Sequence, residues 1–262
     1  MSRIREVWES GGAAHGAWLS LPSSVSAEVM ARTGFDYCCV DMQHGLADYQ
    51  AAVTMLQAVC LGDSTPLVRV PWNEPGIIGR MLDAGAMGII IPMVNTVAEA
   101  EAAVAACRYA PVGARSFGPI RAAMQEGPTY FDQANAEVAC IPMIETTQAI
   151  ANLDDILAVP GIDAVYVGPA DLSVTLGLPP GNNDDAPAFT EALETIVAAC
   201  GRARVVPGIH ASAALAQRRR EQGFRLMTIA TDLGSLMAGA RSDLKSALAE
   251  AAPQEGDTRR VY

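Results

Sequence analysis

The chain has 262 residues, half of them apolar, and a formal net charge of −11. That length suits one barrel-sized domain, since a (β/α)8 barrel takes about 250 residues, and the apolar half can fill a sizeable core. The acidity argues against nucleic-acid binding, whose affinity comes from neutralising phosphates, and no apolar run is both long and uncharged enough to span a bilayer.

The first residues, Met1-Ser2-Arg3-Ile4-Arg5-Glu6-Val7, lack the apolar segment of a signal peptide, so a cytoplasmic protein is expected. No Ser/Gly/Pro-rich linker or charge block divides the chain. One domain over residues 1–262 is therefore expected, with a loose tail over 252–262. The one basic run, Arg218-Arg219-Arg220, reads as a solvated helix face. Cys38, Cys39, Cys60, Cys107, Cys140 and Cys200 show neither zinc-knuckle nor redox-pair spacing, and are expected to be reduced, mostly buried thiols.

Strand-like and helix-like segments alternate along the chain. A first strand is expected over 16–21, a helix over 24–33, and a second strand ending at Asp41. A helix over 49–61, a strand over 66–70 and a helix over 74–84 follow, the last with Pro75 in its first turn, where proline is tolerated. A fourth strand over 87–91 leads to an Ala-rich helix over 97–109, and residues 111–135 read as a long irregular stretch. The fifth strand ends at Glu145 and the sixth at Gly168. A turn-rich loop over 178–185 precedes a helix over 187–202. Strands over 205–209 and 226–230 flank a helix over 212–222, and a helix over 233–250 closes the domain.

Gly34, Gly85, Gly161 and Gly223 each stand just before a strand, where glycine suits the end of the preceding helix. Repeated helix–Gly–strand units imply a parallel sheet. Eight such units in this length favour a closed α/β barrel, the (β/α)8 TIM fold, over an open sheet. No G-x-G-x-x-G or P-loop follows a strand, so nucleotide binding is not expected.

Fully buried parallel strands read as continuous apolar runs, and barrel chemistry sits at their C-terminal ends. Here the runs stop at residues suited to chemistry. Tyr37-Cys38-Cys39-Val40 stops at Asp41, with His44 one turn on; Pro66-Leu67-Val68 stops at Arg69. Ala139 to Ile144 stops at Glu145, and Ala164-Val165-Tyr166-Val167 at Gly168-Pro169-Ala170-Asp171. Glu145 and Asp171 together suit a hard divalent cation completed by water and substrate oxygens; alternatively each caps the next helix. His44 suits a general base, or is a structural histidine. Asp83 either orients His44 or is a surface charge. Arg69 suits oxyanion stabilisation, or forms a structural salt bridge. His15 and His210 have weaker claims; His210 ends the seventh strand and lines the rim or serves the core.

Lys245 is the only lysine, and it falls in the last helix, away from the rim. Imine chemistry needs a lysine desolvated in the pocket, so a Schiff-base mechanism is not expected and any carbanion is expected to be stabilised by a metal and cations.

These residues together resemble the HpcH/HpaI aldolase family, the class II pyruvate aldolases, over residues 16–239. The resemblance rests on Val40-Asp41-Met42-Gln43-His44, Val68-Arg69-Val70-Pro71-Trp72-Asn73, Leu82-Asp83-Ala84-Gly85, Ile91-Pro92-Met93-Val94, Ile144-Glu145-Thr146 and Val167-Gly168-Pro169-Ala170-Asp171-Leu172-Ser173. It implies a barrel of the phosphoenolpyruvate/pyruvate superfamily type that splits a 4-hydroxy-2-oxo acid into pyruvate and an aldehyde. Glu145 and Asp171 would hold Mg2+, Mn2+ or Co2+. The substrate would lie against Met143, Gly168, Pro169, Ala170 and Asp171, with the N–H groups of Ala170 and Asp171 on its carboxylate. Arg69 would stabilise the enolate, and His44, tuned by Asp83, would take the 4-hydroxyl proton. A homohexamer with a swapped last helix is also implied. Two departures stand out: Gln43 replaces a glutamate of the homoprotocatechuate branch, and Met143 replaces a glutamine. The segment 115–121 differs as well; Arg115 and Arg121 would read the aldehyde half or pair with surface acids. Rival readings are an acyl-CoA lyase of the citrate lyase β or malyl-CoA lyase type, which lacks an evident basic surface for CoA here, and a non-catalytic binding barrel.

Overall fold

The computed structural model describes residues 2–249. The tail expected over 252–262 and the end of the last helix, Glu250, lie outside them. Eight parallel strands are present: β1 (Ala14–Leu19), β2 (Tyr37–Asp41), β3 (Thr65–Arg69), β4 (Gly88–Ile91), β5 (Ala139–Pro142), β6 (Ala164–Val167), β7 (Val206–His210) and β8 (Leu226–Thr231). Their order is β5-β4-β3-β2-β1-β8-β7-β6. Between β5 and β6 the ring is closed by a parallel bridge of Met143 to Tyr166, with the Ile144 N–H donating to the Tyr166 carbonyl at 2.9 Å. The chain is thus a (β/α)8 barrel, as expected.

The helices are α1 (Arg3–Glu9), α2 (Ser24–Arg32), α3 (Tyr49–Val59), α4 (Pro75–Asp83), α5 (Val97–Cys107), α6 (Ile120–Glu126) and α7 (Tyr130–Glu137). They continue with α8 (Thr147–Ala151), α9 (Leu153–Leu157), α10 (Pro169–Thr175), α11 (Pro187–Ala203), α12 (Ala216–Glu221) and α13 (Asp232–Leu248). Six of them, α1 and α6 to α10, were not among the expected helices. The N-terminal stretch is a helix, and 111–135 is not irregular throughout but holds α6 and most of α7. The first strand also starts two residues earlier than the apolar run suggested, because Ala14 and His15 pair with Leu226 and Met227 of β8.

Period-two alternation divides the core into two shells. Cys38, Val40, Val68, Ile89, Val165 and Ile209 face the helix layer, whereas Trp18, Tyr37, Cys39, Leu67, Ile90, Ile141, Met143 and Tyr166 fill the barrel. The same phase carries Asp41, Arg69, Glu145, Gly168 and His210 to the inside at the C-terminal rim. Gly16 makes room for this filling, since a Cβ there would lie 2.1 Å from the Tyr37 ring.

Arginines tie the N-terminal rim. Asp163 accepts from Arg5 at 2.7 Å and Arg108 at 2.8 Å and also from the Cys140 N–H, while Arg3 pairs with Asp36. Ile4 and Trp8 of α1 plug the barrel floor. Five of the six cysteines are buried and all are free thiols. The triplet 218–220 is not simply a solvated face. Arg219 is wholly buried, 2.7 Å from Asp184 and 2.8 Å from Asn182 Oδ1, and so pins the 178–185 loop. α13 touches the barrel only near its start; Leu236, Leu244 and Leu248 are exposed. No helix among the described residues is long and apolar enough to cross a membrane.

Candidate active site

Asp41 and Arg69 end neighbouring strands in direct register. Their side chains form a two-pronged pair, Nε to Oδ1 at 2.8 Å and Nη2 to Oδ2 at 2.7 Å. Asp41 Oδ1 also accepts the N–H groups of Gln43 and His44, which fixes the turn that carries His44. Burial opposes the Asp41 carboxylate, but the hydrogen bonds and charge of Arg69 outweigh it and hold its pKa below the ordinary value. The guanidinium lies 4.9 Å from the Trp18 ring centroid, and Trp18 in turn stacks on Tyr166 and meets His210 edge-on. Arg69 therefore has the structural salt bridge that was one reading of it, and Nη1, which makes no hydrogen bond within the described chain, still serves the cavity.

Glu145 follows β5 and is 2% exposed. Its Oε1 accepts the Met93 N–H at 2.9 Å, and Met93 holds a left-handed φ of 56° that a non-glycine residue seldom adopts. Oε2 is buried without a hydrogen-bond partner among the described residues. Gly168 is what admits it: a Cβ there would lie 2.2 Å from Oε2. Burial, reinforced by the Asp171 charge, pushes the Glu145 carboxyl up to about 7 against the opposing Met93 N–H and Arg69. Glu145 is not a helix cap; Thr146 caps α8, accepting from the Ala149 N–H. Asp171 sits in the first turn of α10, whose N-cap is Gly168, and caps nothing. The first intrahelical bond of α10 runs from the Leu172 N–H to the Gly168 carbonyl, so the Ala170 and Asp171 N–H groups stay open at the rim.

A cavity of about 270 Å3 joins these groups. Trp18, His44, Arg69, Met143, Tyr166, Gly168, Pro169, Ala170 and Asp171 line it, with Gly181, Asn182 and His210. A hollow of about 630 Å3 beside His15 and Arg220 lies elsewhere on the surface, but it holds none of the strand-end residues. Among the described residues no three His, Cys, Asp or Glu side chains cluster as a metal site. The buried, unpartnered Glu145 Oε2 beside Asp171 nevertheless fits a hard cation that takes most of its ligands from water and substrate.

Asp83 stands apart from the cavity of its own chain. It ends α4, and a crossover helix runs back toward the N-terminal rim, so Asp83 lies at the opposite end of the barrel from His44. Its partner is Arg115 at 2.7 Å, which also meets Tyr130 and Tyr109. Within one chain Asp83 does not orient His44. Arg121 likewise donates to the Ala84 carbonyl, so neither arginine of the 115–121 segment faces this chain's cavity. His15 lies at the floor end of β1. Sequence reasoning singled out neither Trp18, Tyr166 and Asn182, which line the cavity, nor Met93, which bonds Glu145, and it placed His210 among the weaker candidates. The strand phase already placed Trp18 and His210 inside.

The barrel with carboxylates at its strand ends is the frame on which the likeness to known lyases can be read. The chain belongs to the HpcH/HpaI aldolase/citrate lyase family, whose sequence model matches residues 15–238. Hydroxypyruvate/pyruvate aldolase of Rhizorhabdus wittichii is 40% identical over 250 residues, 95% of this chain and 100% of that protein. The 4-hydroxy-2-oxo-heptane-1,7-dioate aldolase of Salmonella heidelberg is 38% identical, over 91% and 92% of the two chains. The crystal structure of an HpcH/HpaI aldolase/citrate lyase family protein from Burkholderia cenocepacia superposes with a TM-score of 0.86 at 34% identity, covering 93% and 98%. The protein is an aldolase.

Proposed function

We propose that the enzyme cleaves a 4-hydroxy-2-oxo acid to pyruvate and an aldehyde, using a divalent metal and no lysine. The buried Glu145 Oε2, with no partner among the described residues and the Asp171 charge near it, carries this reading. Glu145 and Asp171 would hold Mg2+ or Mn2+. The metal, when bound, supplies Lewis-acid stabilisation of charge at the keto oxygen.

The residues divide the remaining work. The open N–H groups of Ala170 and Asp171 bind the substrate carboxylate at the start of α10. Arg69, held rigid by Asp41 and Trp18, offers Nη1 to the keto oxygen. His44, at the cavity mouth, takes the proton from the 4-hydroxyl. The C3–C4 bond breaks, its electrons form the pyruvate enolate, and the O–H electrons become the aldehyde carbonyl. Arg69 faces the developing oxyanion, and a proton delivered to C3 gives pyruvate. Trp18 and Met143 exclude water from the apolar side of the cavity.

The test is pyruvate release from 4-hydroxy-2-oxo acids with Mn2+, then with EDTA, beside Glu145→Ala. Loss of activity under both conditions is expected; activity that survives both refutes the metal assignment. We also propose that α13 packs on another copy of the chain, because its apolar residues Leu236, Leu244 and Leu248 find no cover here. Light scattering of the full chain beside a chain ending before Asp232 checks this, with a smaller assembly expected for the latter.

A further inference from the structure

We infer that His210, with Asn182, selects the aldehyde half of the substrate: a short, neutral aldehyde bearing a hydroxyl, in preference to an alkyl aldehyde or one ending in a carboxylate. This rests on the aldolase reading above and goes beyond it to the acceptor.

His210 ends β7 in the inward phase and lines the cavity. Its ring meets Trp18 edge-on at 5.2 Å and makes no hydrogen bond among the described residues. Burial, helped by the Arg69 charge and opposed by Asp41, pushes its pKa down to about 4. The ring is therefore neutral at pH 7 and offers one donor or one acceptor at each nitrogen, but no charge. Asn182 lines the same cavity. Its Oδ1 accepts from the buried Arg219 at 2.8 Å, which fixes the amide and leaves the Nδ2 donors without a partner in the described chain. Arg219 is itself anchored on Asp184, so the loop that presents Asn182 is braced from within the fold.

An alkyl aldehyde would bury these polar groups against apolar surface with nothing to bond, and that penalty is what discriminates. A distal carboxylate fares no better. Arg69 is the one Arg or Lys lining the cavity, and its Nε and Nη2 are committed to Asp41. Arg115 and Arg121 are bonded to Asp83 and Ala84 at the other rim. A hydroxyl can both donate to and accept from His210 and Asn182.

The experiment has two parts. Exchange of the pyruvate C3 protons for deuterium, with Mn2+ in D2O, needs the enolate but no aldehyde; its absence in the native enzyme would refute the aldolase reading rather than this one. The rate of aldol addition to pyruvate is then measured with glycolaldehyde, propanal and succinate semialdehyde. We expect kcat/KM for glycolaldehyde to exceed that for either rival by ~10-fold or more, and His210→Leu to bring the glycolaldehyde-to-propanal ratio within ~3-fold while exchange persists. His210→Gln, which restores a donor and an acceptor, should recover most of the ratio. Native preference for propanal or succinate semialdehyde overturns the inference. So does an unchanged ratio in His210→Leu. Should that variant lose exchange, Asn182→Ala decides by the same ratio.

Discussion

The two ends of the barrel handle buried charge in opposite ways. At the N-terminal rim Arg5, Arg108 and Asp163 satisfy one another, Asp163 also accepts the Cys140 N–H, and Arg115 sits between Asp83 and Tyr130. At the C-terminal rim Glu145 keeps a bare oxygen, His210 a bare ring, and α10 two open N–H groups. The carboxylates of the first rim each meet a guanidinium and hold the fold, although Arg115 Nε there goes without a hydrogen bond, whereas the Glu145 carboxylate at the second has no cation bonded to it and is open to a ligand. That contrast separates stability from chemistry more sharply than burial does, because Glu145 and Arg108 are both nearly inaccessible.

The contrast makes predictions of decreasing size. Glu145→Ala should lower pyruvate release by about 10^3-fold, the loss expected when several kcal/mol of charge stabilisation go, yet leave the fold intact by circular dichroism. Gly168→Ala should come close to the same loss, since its Cβ would occupy the place of Oε2; normal activity in that variant would break the link between Gly168 and the carboxylate. At the other rim Asp163→Ala should cost about 3 kcal/mol in urea unfolding, because it takes the carboxylate from the buried Arg108 and the half-buried Arg5 and leaves them only backbone carbonyls, while kcat of the folded fraction stays near native.

A pH series separates the rims further. Glu145 is raised from 4.5 to about 7, so the folded metal-free protein holds its proton more tightly than the unfolded chain does. The site costs nothing below pH 4.5; the cost grows as pH rises and is complete above about 7. There it amounts to about 3 kcal/mol. Metal-free Glu145→Gln should therefore be the more stable protein at pH 8 and no more stable at pH 4, as read by thermal melts; parallel curves would contradict the raised value. The smallest effect is at Thr96, whose hydroxyl and Glu99 form a reciprocal cap on α5. Thr96→Ala should lose about 1 kcal/mol and leave activity unchanged.

Much of this was legible in the residues alone. Apolar runs that stop at Asp41, Arg69, Glu145 and Gly168 gave the strands and their reactive ends, because a buried parallel strand has no other use for such residues. Two kinds of information were not legible. Helix direction decides which rim a helical residue reaches, and the position of Asp83 in the sequence motif does not show that its partner within the chain is Arg115. The 218–220 triplet looked like surface because composition cannot show that Arg219 finds Asp184 and Asn182 in a distant loop. The short helices α6 and α7 were hidden by the glycines and prolines around them.

The solitary Lys245 has a practical side. It is exposed in the last turns of α13, far along a helix that leaves the barrel near Asp232. An amine-reactive dye would thus mark one side chain, besides the terminal amine, at a place remote from the cavity. The enzyme can be tethered or made fluorescent there without touching the chemistry, and the reaction rate at that amine gives a direct gauge of whether α13 is covered by a second copy.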